Sequence, residues 1–329
     1  MRRTTILKLL PLACLLAGPA LAQPAAAPAA APAACTKPLS VVNEVQMIAR
    51  GPGPSSVPVE INGVKENLTF ATAGTATQLT EDTAKKLGLT ITADGEIALF
   101  DRMGKMTSNQ VSISKFVVGT AEGSNLKFPV SPGGGFGGGF GGGGAGLFSL
   151  NHMLPYDVDV DFGTDKLRFF SQDHCPGGVL YWQASVVGVL ALTIDRGRVT
   201  VPVEIDGKTL IGVIDTAAMD LSIKEAVAEK VLGLEAGMAG KTHTGTLRLG
   251  ALGLRNINFN IRGNGAIEGG SAVISAQNRS AAVQNALAQP EVIIGMELLR
   301  KLHLYMAFGE KKLYITPGTA RAAAAPPPR

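Results

Sequence analysis

The chain says the same thing twice. Val57-Pro58-Val59-Glu60-Ile61-Asn62-Gly63 returns as Val201-Pro202-Val203-Glu204-Ile205-Asp206-Gly207. Fourteen residues after each opening valine stands Ala71-Thr72-Ala73-Gly74 in the first copy and Asp215-Thr216-Ala217-Ala218 in the second. The copies stay in register through Leu79-Thr80-Glu81 and Ile223-Lys224-Glu225, then through Ala84 and Ala228. One extra residue brings Leu87-Gly88-Leu89 onto Leu232-Gly233-Leu234. Self-similarity at so large a period predicts a duplicated domain with a pseudo-twofold axis, not a solenoid of short units. At 329 residues the chain is long enough to bury two cores of ordinary size.

Each copy opens as a strand, a tight turn at Asn62-Gly63 or Asp206-Gly207, and a second strand; Asn-Gly and Asp-Gly supply the positive backbone angles such a turn requires. A short helix follows, from Glu81 to Leu87 and from Glu225 to Leu232, closed by Gly88 and Gly233. Gly104-Lys105-Met106-Thr107 and Gly240-Lys241-Thr242-His243 lead into alternating runs, Val111 to Val118 and Leu247 to Leu254, expected as half-buried strands. The closing clusters run from Leu147-Phe148-Ser149 to Leu167 and from Ile293-Ile294-Gly295 to Leu313.

The apolar strand Leu210 to Ile214 ends in Asp-Thr and two small residues. It therefore brings a carboxylate and a hydroxyl to the mouth of a sheet, where little bulk would hinder an approaching backbone. Read twice, with Ile293-Ile294-Gly295 as the later segment and Gly240 to Gly245 as the flap, the pattern resembles the retropepsin-like and pepsin-like aspartic peptidases. Their lobes each give a D-T-G-A or D-T-G-S loop, a flap hairpin and an apolar-apolar-glycine segment. The resemblance spans about Val57 to Thr316. It implies a mainly β, bilobal fold of two duplicated β-barrel lobes with short helices, and a cleft suited to an extended polypeptide. It also implies a catalytic role for Asp215 and Thr216, an active-site loop through Ala217 and Ala218, and flap residues among Gly240, Lys241, Thr242 and His243. In the family the threonine hydrogen-bonds across the lobe interface, an expectation for Thr72 and Thr216.

Two departures matter. The family works by two carboxylates that share one proton and hold a water, their proximity forcing one to act as base and the other as acid. Here Ala71 stands in the partner loop Ala71-Thr72-Ala73-Gly74. Ala217 replaces glycine, and its methyl group can crowd the loop. Two functions follow as expectations. Asp215 pairs with its twin in a homodimer and peptide bonds are cleaved without metal or cofactor; or the chain folds on itself, Asp215 faces Ala71, and the protein is an inactive pseudoprotease that holds peptides uncut or serves as an envelope-interaction module. A lone carboxylate lacks the second group, and general acid–base assistance is typically worth about 100- to 10,000-fold. A monomer is expected to be inactive.

The domain boundaries read as follows. Arg2-Arg3, an apolar run from Ile6 to Leu16 and the small-residue site Ala20-Leu21-Ala22 make 1–22 a secretory signal, its apolar run too short for a good membrane anchor. Pro11-Leu12-Ala13-Cys14 resembles a lipoprotein box, with Pro11 where a branched aliphatic is wanted, so simple cleavage is favoured. Residues 23–50 hold an alanine- and proline-rich tether and the first strand, 51–172 the degenerate lobe, 173–197 a linker, 198–316 the lobe with Asp215, and 317–329 a tail.

Loss of Arg2, Arg3 and Lys8 lowers the formal net charge from +4 to +1, which removes the electrostatic warrant for nucleic acid. A secreted, periplasmic chain with two remaining cysteines suggests a Cys35–Cys175 disulfide, worth roughly 4 to 5 kcal/mol for so long a loop; the alternative is two unpaired buried thiols.

The glycine-rich stretch Gly133 to Gly146 lacks the Lys-Ser or Lys-Thr and the βαβ setting that phosphate binding needs, and reads as a loop matched by the polar insert Asn264 to Pro290. None of the four histidines pairs at metal-ligand spacing; His174 beside Cys175 reads as loop chemistry, and no metal is expected. Asp101 and Asp220 are the nearest substitutes for the missing acid by spacing. Asp157, Asp159 and Asp161 alternate with Val158 and Val160, which predicts a solvated strand face and no calcium loop.

Overall fold

The computed structural model describes residues 35–49, 51–74, 76–100, 106–131, 144–264, 270–273 and 290–318. Apart from Cys35, all of these belong to one unit, Thr36–Arg329. The expected signal and nearly all of the tether and tail lie outside the described residues, as do Asp101 and most of both inserts.

The first half runs β1 (Val41–Gln46), β2 (Ser56–Ile61), β3 (Val64–Phe70), β4 (Gln78–Thr80), α1 (Glu81–Lys86), β5 (Ile97–Phe100), β6 (Met106–Thr107), β7 (Gln110–Val118), β8 (Ala121–Ser131) and β9 (Gly146–Phe148). A 3-10 turn, Leu150–His152, then leads to β10 (Asp157–Asp161) and β11 (Lys166–Phe170). The second half opens with β12 (Gly188–Ala191) and β13 (Thr193–Asp195), both inside the expected linker. It continues as β14 (Arg198–Ile205), β15 (Lys208–Ile214), β16 (Leu221–Lys224), α2 (Glu225–Lys230), β17 (Thr242–Leu249), β18 (Leu252–Arg262), β19 (Gly270–Val273) and β20 (Val292–Ile294). The helical turn Met296–Leu299, β21 (Leu302–Ala307) and β22 (Lys312–Pro317) close it.

The fold is mainly β, and its two barrels are duplicated strand for strand. Lobe one is a closed barrel in the order β2-β3-β9-β4-β8-β7. Lobe two repeats that ring as β14-β15-β20-β16-β18-β17, closed by pairing of β17 to β14. The hairpin turns form as the residue types demand, with φ of 49° and 86° at Asn62 and Gly63, and 48° and 77° at Asp206 and Gly207. Along β2 and β14 alternate side chains point inward, so Val57, Val59 and Ile61 fill one barrel and Val201, Val203 and Ile205 the other. The run Leu247 to Leu254 is not one strand. It folds back at Gly250 (φ 60°), pairing Leu247 with Leu254 across β17 and β18.

A six-stranded sheet, β1-β11-β10-β21-β22-β12, joins the lobes, three strands from each half meeting at β10 and β21. Here the expectation of a solvated acidic face fails. Asp157, Asp159 and Asp161 are all buried, because β10 is a central strand and residues after β11 fold over its acidic face. His174 Nε2 lies 2.7 Å from Asp157 Oδ2, and His303 Nε2 lies 2.5 Å from Asp159 Oδ1. Arg168 and Tyr181 donate to Asp159 Oδ2 at 3.0 and 2.7 Å. Trp182 stacks on His303 with ring centres 3.9 Å apart and donates to Thr316 Oγ1 at 3.0 Å. Asp161 accepts instead from the Gly163 N–H and the Thr164 hydroxyl, capping the turn between β10 and β11. Buried acids persist when hydrogen-bonded and paired, and Asp157 and Asp159 each meet both conditions.

Candidate functional site

The two sheet-mouth loops are built alike. The Asp215 N–H donates to the Ile294 carbonyl at 3.0 Å; in lobe one the Ala71 N–H donates to the Phe148 carbonyl at 2.9 Å. Met296 N–H meets the Ala218 carbonyl at 2.9 Å, and Leu150 N–H meets the Gly74 carbonyl at 3.3 Å. Ala71 thus takes in lobe one the backbone position that Asp215 takes in lobe two.

The loops lock together through their threonines. Thr72 N–H donates to Thr216 Oγ1 at 3.1 Å and Thr216 N–H donates to Thr72 Oγ1 at 3.2 Å. Each hydroxyl then donates across the seam, Thr72 to the Ile214 carbonyl at 2.6 Å and Thr216 to the Phe70 carbonyl at 2.7 Å. Both threonines are buried, so each bond forms where water offers no substitute. The Val199 N–H adds a bond to the Thr72 carbonyl at 3.1 Å, and Ala73 bridges to Arg198.

Asp215 is half-buried. Its Oδ1 accepts from the Ala217 N–H at 2.9 Å and the Ala218 N–H at 3.2 Å, so the loop itself orients the carboxylate. Ala71 is fully buried and offers a methyl group. At the seam, then, one loop contributes a carboxylate and the other contributes nothing that titrates.

Behind the loops the lobes diverge. Gly295 touches the Asp215 loop so closely that a Cβ there would lie 2.4 Å from the Asp220 carbonyl oxygen and 2.7 Å from that of Met219. Lobe one has Ser149 at this place, and its loop is rebuilt around polar groups the sequence did not single out. Thr77 Oγ1 accepts the Ser149 N–H at 3.0 Å and lies 2.8 Å from His152 Nδ1, while Asn151 Oδ1 accepts the Thr77 N–H at 2.7 Å. His152 sits among Phe116, Phe128 and Phe148 with ring centres 5.4 to 5.8 Å away. Burial lowers its pKa to about 4 and keeps the ring neutral. A threonine six residues after Ala71 and a histidine three after Ser149 were the available signals. Neither has a lobe-two counterpart, so the duplication gave no pointer to them.

The remaining sequence candidates fall elsewhere. Gly240 and Lys241 form the turn before β17, bonded to Ile261 and Met238. Thr242 and His243 are residues of β17; His243 Nε2 lies 2.7 Å from Asp206 Oδ2, at the turn of the β14–β15 hairpin. Asp220 is exposed. His174 faces Asp157 rather than a free loop: burial opposes its charge, but the bonds to Asp157 and the Cys175 carbonyl raise its pKa, whereas for Asp157 burial prevails and raises the acid's pKa too. Cys35 and Cys175 are disulfide-bonded, a state proper to oxidising compartments. Among the described residues no group of three or more His, Cys, Asp or Glu side chains is placed to hold a metal, and no helix is long and apolar enough to cross a membrane.

No family model matches the chain, and neither does any curated protein. Among solved structures it is similar to the aspartic proteinase from Irpex lacteus. The two are 10% identical with a TM-score of 0.49, over 85% of this chain and 98% of that chain.

Proposed function

We propose that this is an exported, periplasmic protein of the aspartic-peptidase type that holds extended polypeptide without cutting it. The observation that carries the reading is the pair of matched bonds, Ala71 to Phe148 and Asp215 to Ile294, joined by the threonine lock. Asp215 can polarise a water, but the group across from it is a methyl, so the carbonyl of a bound peptide would gain no proton in the same step. The competing reading, a homodimer of second lobes that completes a dyad, demands that Thr72 and Thr216 abandon the four buried bonds between the lobes and that β10 leave β21. Loss of such a set would cost several kcal/mol before any new interface formed.

The test is a peptidase assay at acidic pH over a range of protein concentrations, with solution mass measured in parallel and Asp215→Asn as the blank. Wild type should cleave no faster than the blank, remain monomeric, and retain a labelled extended peptide equally well in both forms. Hydrolysis that climbs with protein concentration and disappears in Asp215→Asn would overturn the proposal in favour of the dimeric enzyme.

A further inference from the structure

The duplication lays the same backbone at two equivalent places of the interlobe sheet and hangs different side chains on it. At the β10–β11 turn the Met47 N–H donates to the Asp165 carbonyl at 2.7 Å; at the β21–β22 turn the Leu192 N–H donates to the Lys311 carbonyl at 2.8 Å. Asp165 and Lys311 share a φ of 55°. Five residues after Ser149 stands Leu154, and five after Gly295 stands Arg300; their N–H groups donate to the Leu150 and Met296 carbonyls at 2.9 and 3.3 Å. Arg300 and Asp165 thus have Leu154 and Lys311 as their counterparts.

Arg300 reaches across to lobe one, where its guanidinium donates to the carbonyls of Gly51 at 3.0 Å, Gly53 at 3.2 Å and Pro52 between them. Leu154 has no donor to extend towards lobe two, and beside it lies a groove of about 520 Å³. The walls are apolar: Leu154 from lobe one, and Leu192, Ile194 and Phe308 from lobe two. Leu154 and Ile194 stay exposed. Polar groups are few, since Gln172 Nε2 is already engaged by the Leu154 carbonyl at 2.9 Å and Thr193 adds only a hydroxyl. The charge comes from Lys311, whose exposed side chain has no carboxylate partner among the described residues. The neighbouring acids are taken, Glu310 by Tyr314 at 2.9 Å and Lys312 at 3.4 Å, and Asp173 by Lys37. An apolar trough with one free ammonium is complementary to an apolar chain that ends in an anion.

We propose that this groove binds a free alkyl carboxylate, its chain along Leu154, Leu192, Ile194 and Phe308 and its carboxylate on the Lys311 ammonium. A peptide laid in the same place would strip water from its amides with few groups to bond them, whereas a methylene chain has no hydrogen bond to lose. The site goes beyond the polypeptide-holding reading and does not involve Asp215.

The experiment titrates the full chain calorimetrically with hexanoate, octanoate and decanoate, each below its micelle concentration. Affinity should rise about two- to fourfold with each added methylene. Decanol should bind about threefold more weakly than decanoate or worse, and Lys311→Met should abolish that difference by weakening decanoate alone. Ile194→Ser should weaken both ligands. Both substituted side chains are exposed, and an unchanged urea midpoint verifies the fold. No binding of decanoate, an affinity flat with chain length, or decanoate binding unaltered in both variants overturns the inference. Decyltrimethylammonium binding as tightly as decanoate does so too, as does displacement of decanoate by a lower concentration of N-acetyl-dileucine, which would make the occupant a peptide C-terminus. None of these results bears on peptide retention by wild type and Asp215→Asn, which is read in its own assay.

Discussion

Thr72 carries more of the lobe seam than its size suggests, since one hydroxyl both donates to Ile214 and accepts from Thr216. Thr72→Val keeps the shape and leaves a buried carbonyl and a buried N–H unpaired, each costing about 1–3 kcal/mol. Urea denaturation should show a loss of about 3 kcal/mol, and a loss below 0.5 kcal/mol would show that the lock is not load-sharing. His152 makes a second prediction. Its folded pKa of about 4 lies below the unfolded value of about 6.5, so the unfolded chain takes up the proton first. Its contribution is complete above pH 6.5 and drains away as pH falls towards 4, by up to about 3 kcal/mol. Stability measured against pH should therefore flatten across that window in His152→Gln; an unaltered slope would mean the ring is not held neutral by burial. Of these residues, Thr72 was legible because it repeats at Thr216, whereas His152 was not, because its role depends on three phenylalanines brought together only by the closed barrel.

Most elements repeated in the sequence are repeated in space; the run Leu247 to Leu254, matched to Val111 to Val118, instead turns back at Gly250, and the acids of β10 were misread as solvated. The Asn62-Gly63 and Asp206-Gly207 turns, the helices after β4 and β16 and the strands leading to both loops were readable because local chemistry decides each of them. The acids of β10 were not, because alternation tells which side chains share a face and says nothing of what later covers that face; His174 and His303 arrive from 13 residues past the strand's end and from the other lobe. The lobes' later segments make an element-scale prediction. Gly295→Ala forces a methyl group against two backbone carbonyls and should cost about 1–3 kcal/mol or more, read as a lower urea midpoint. Ser149→Ala in lobe one, where a Cβ is already accommodated, should stay within about 1 kcal/mol. Equal effects at the two sites would contradict the asymmetry described for the seam.

At the scale of the molecule the two lobes are not independent, because their outer strands form one sheet and their loops share a buried lock. Calorimetry should accordingly show one cooperative transition; two resolved transitions would mean that the lobes unfold separately and the seam contributes little. The bilobal plan was legible from duplication, and the single acid from the mismatch between Ala71 and Asp215. The groove beside Lys311 was not, since it depends on Leu154 standing where the other half of the molecule has Arg300. The most direct measurement is hydrolysis of an extended peptide at acidic pH by Ala71→Asp, alone and with Ala73→Gly and Ala217→Gly, beside wild type and Asp215→Asn. If the loops face one another within the chain, the restored acid produces cleavage that is independent of protein concentration and absent from both controls. A folded Ala71→Asp protein that cleaves no faster than wild type in either background would contradict the account.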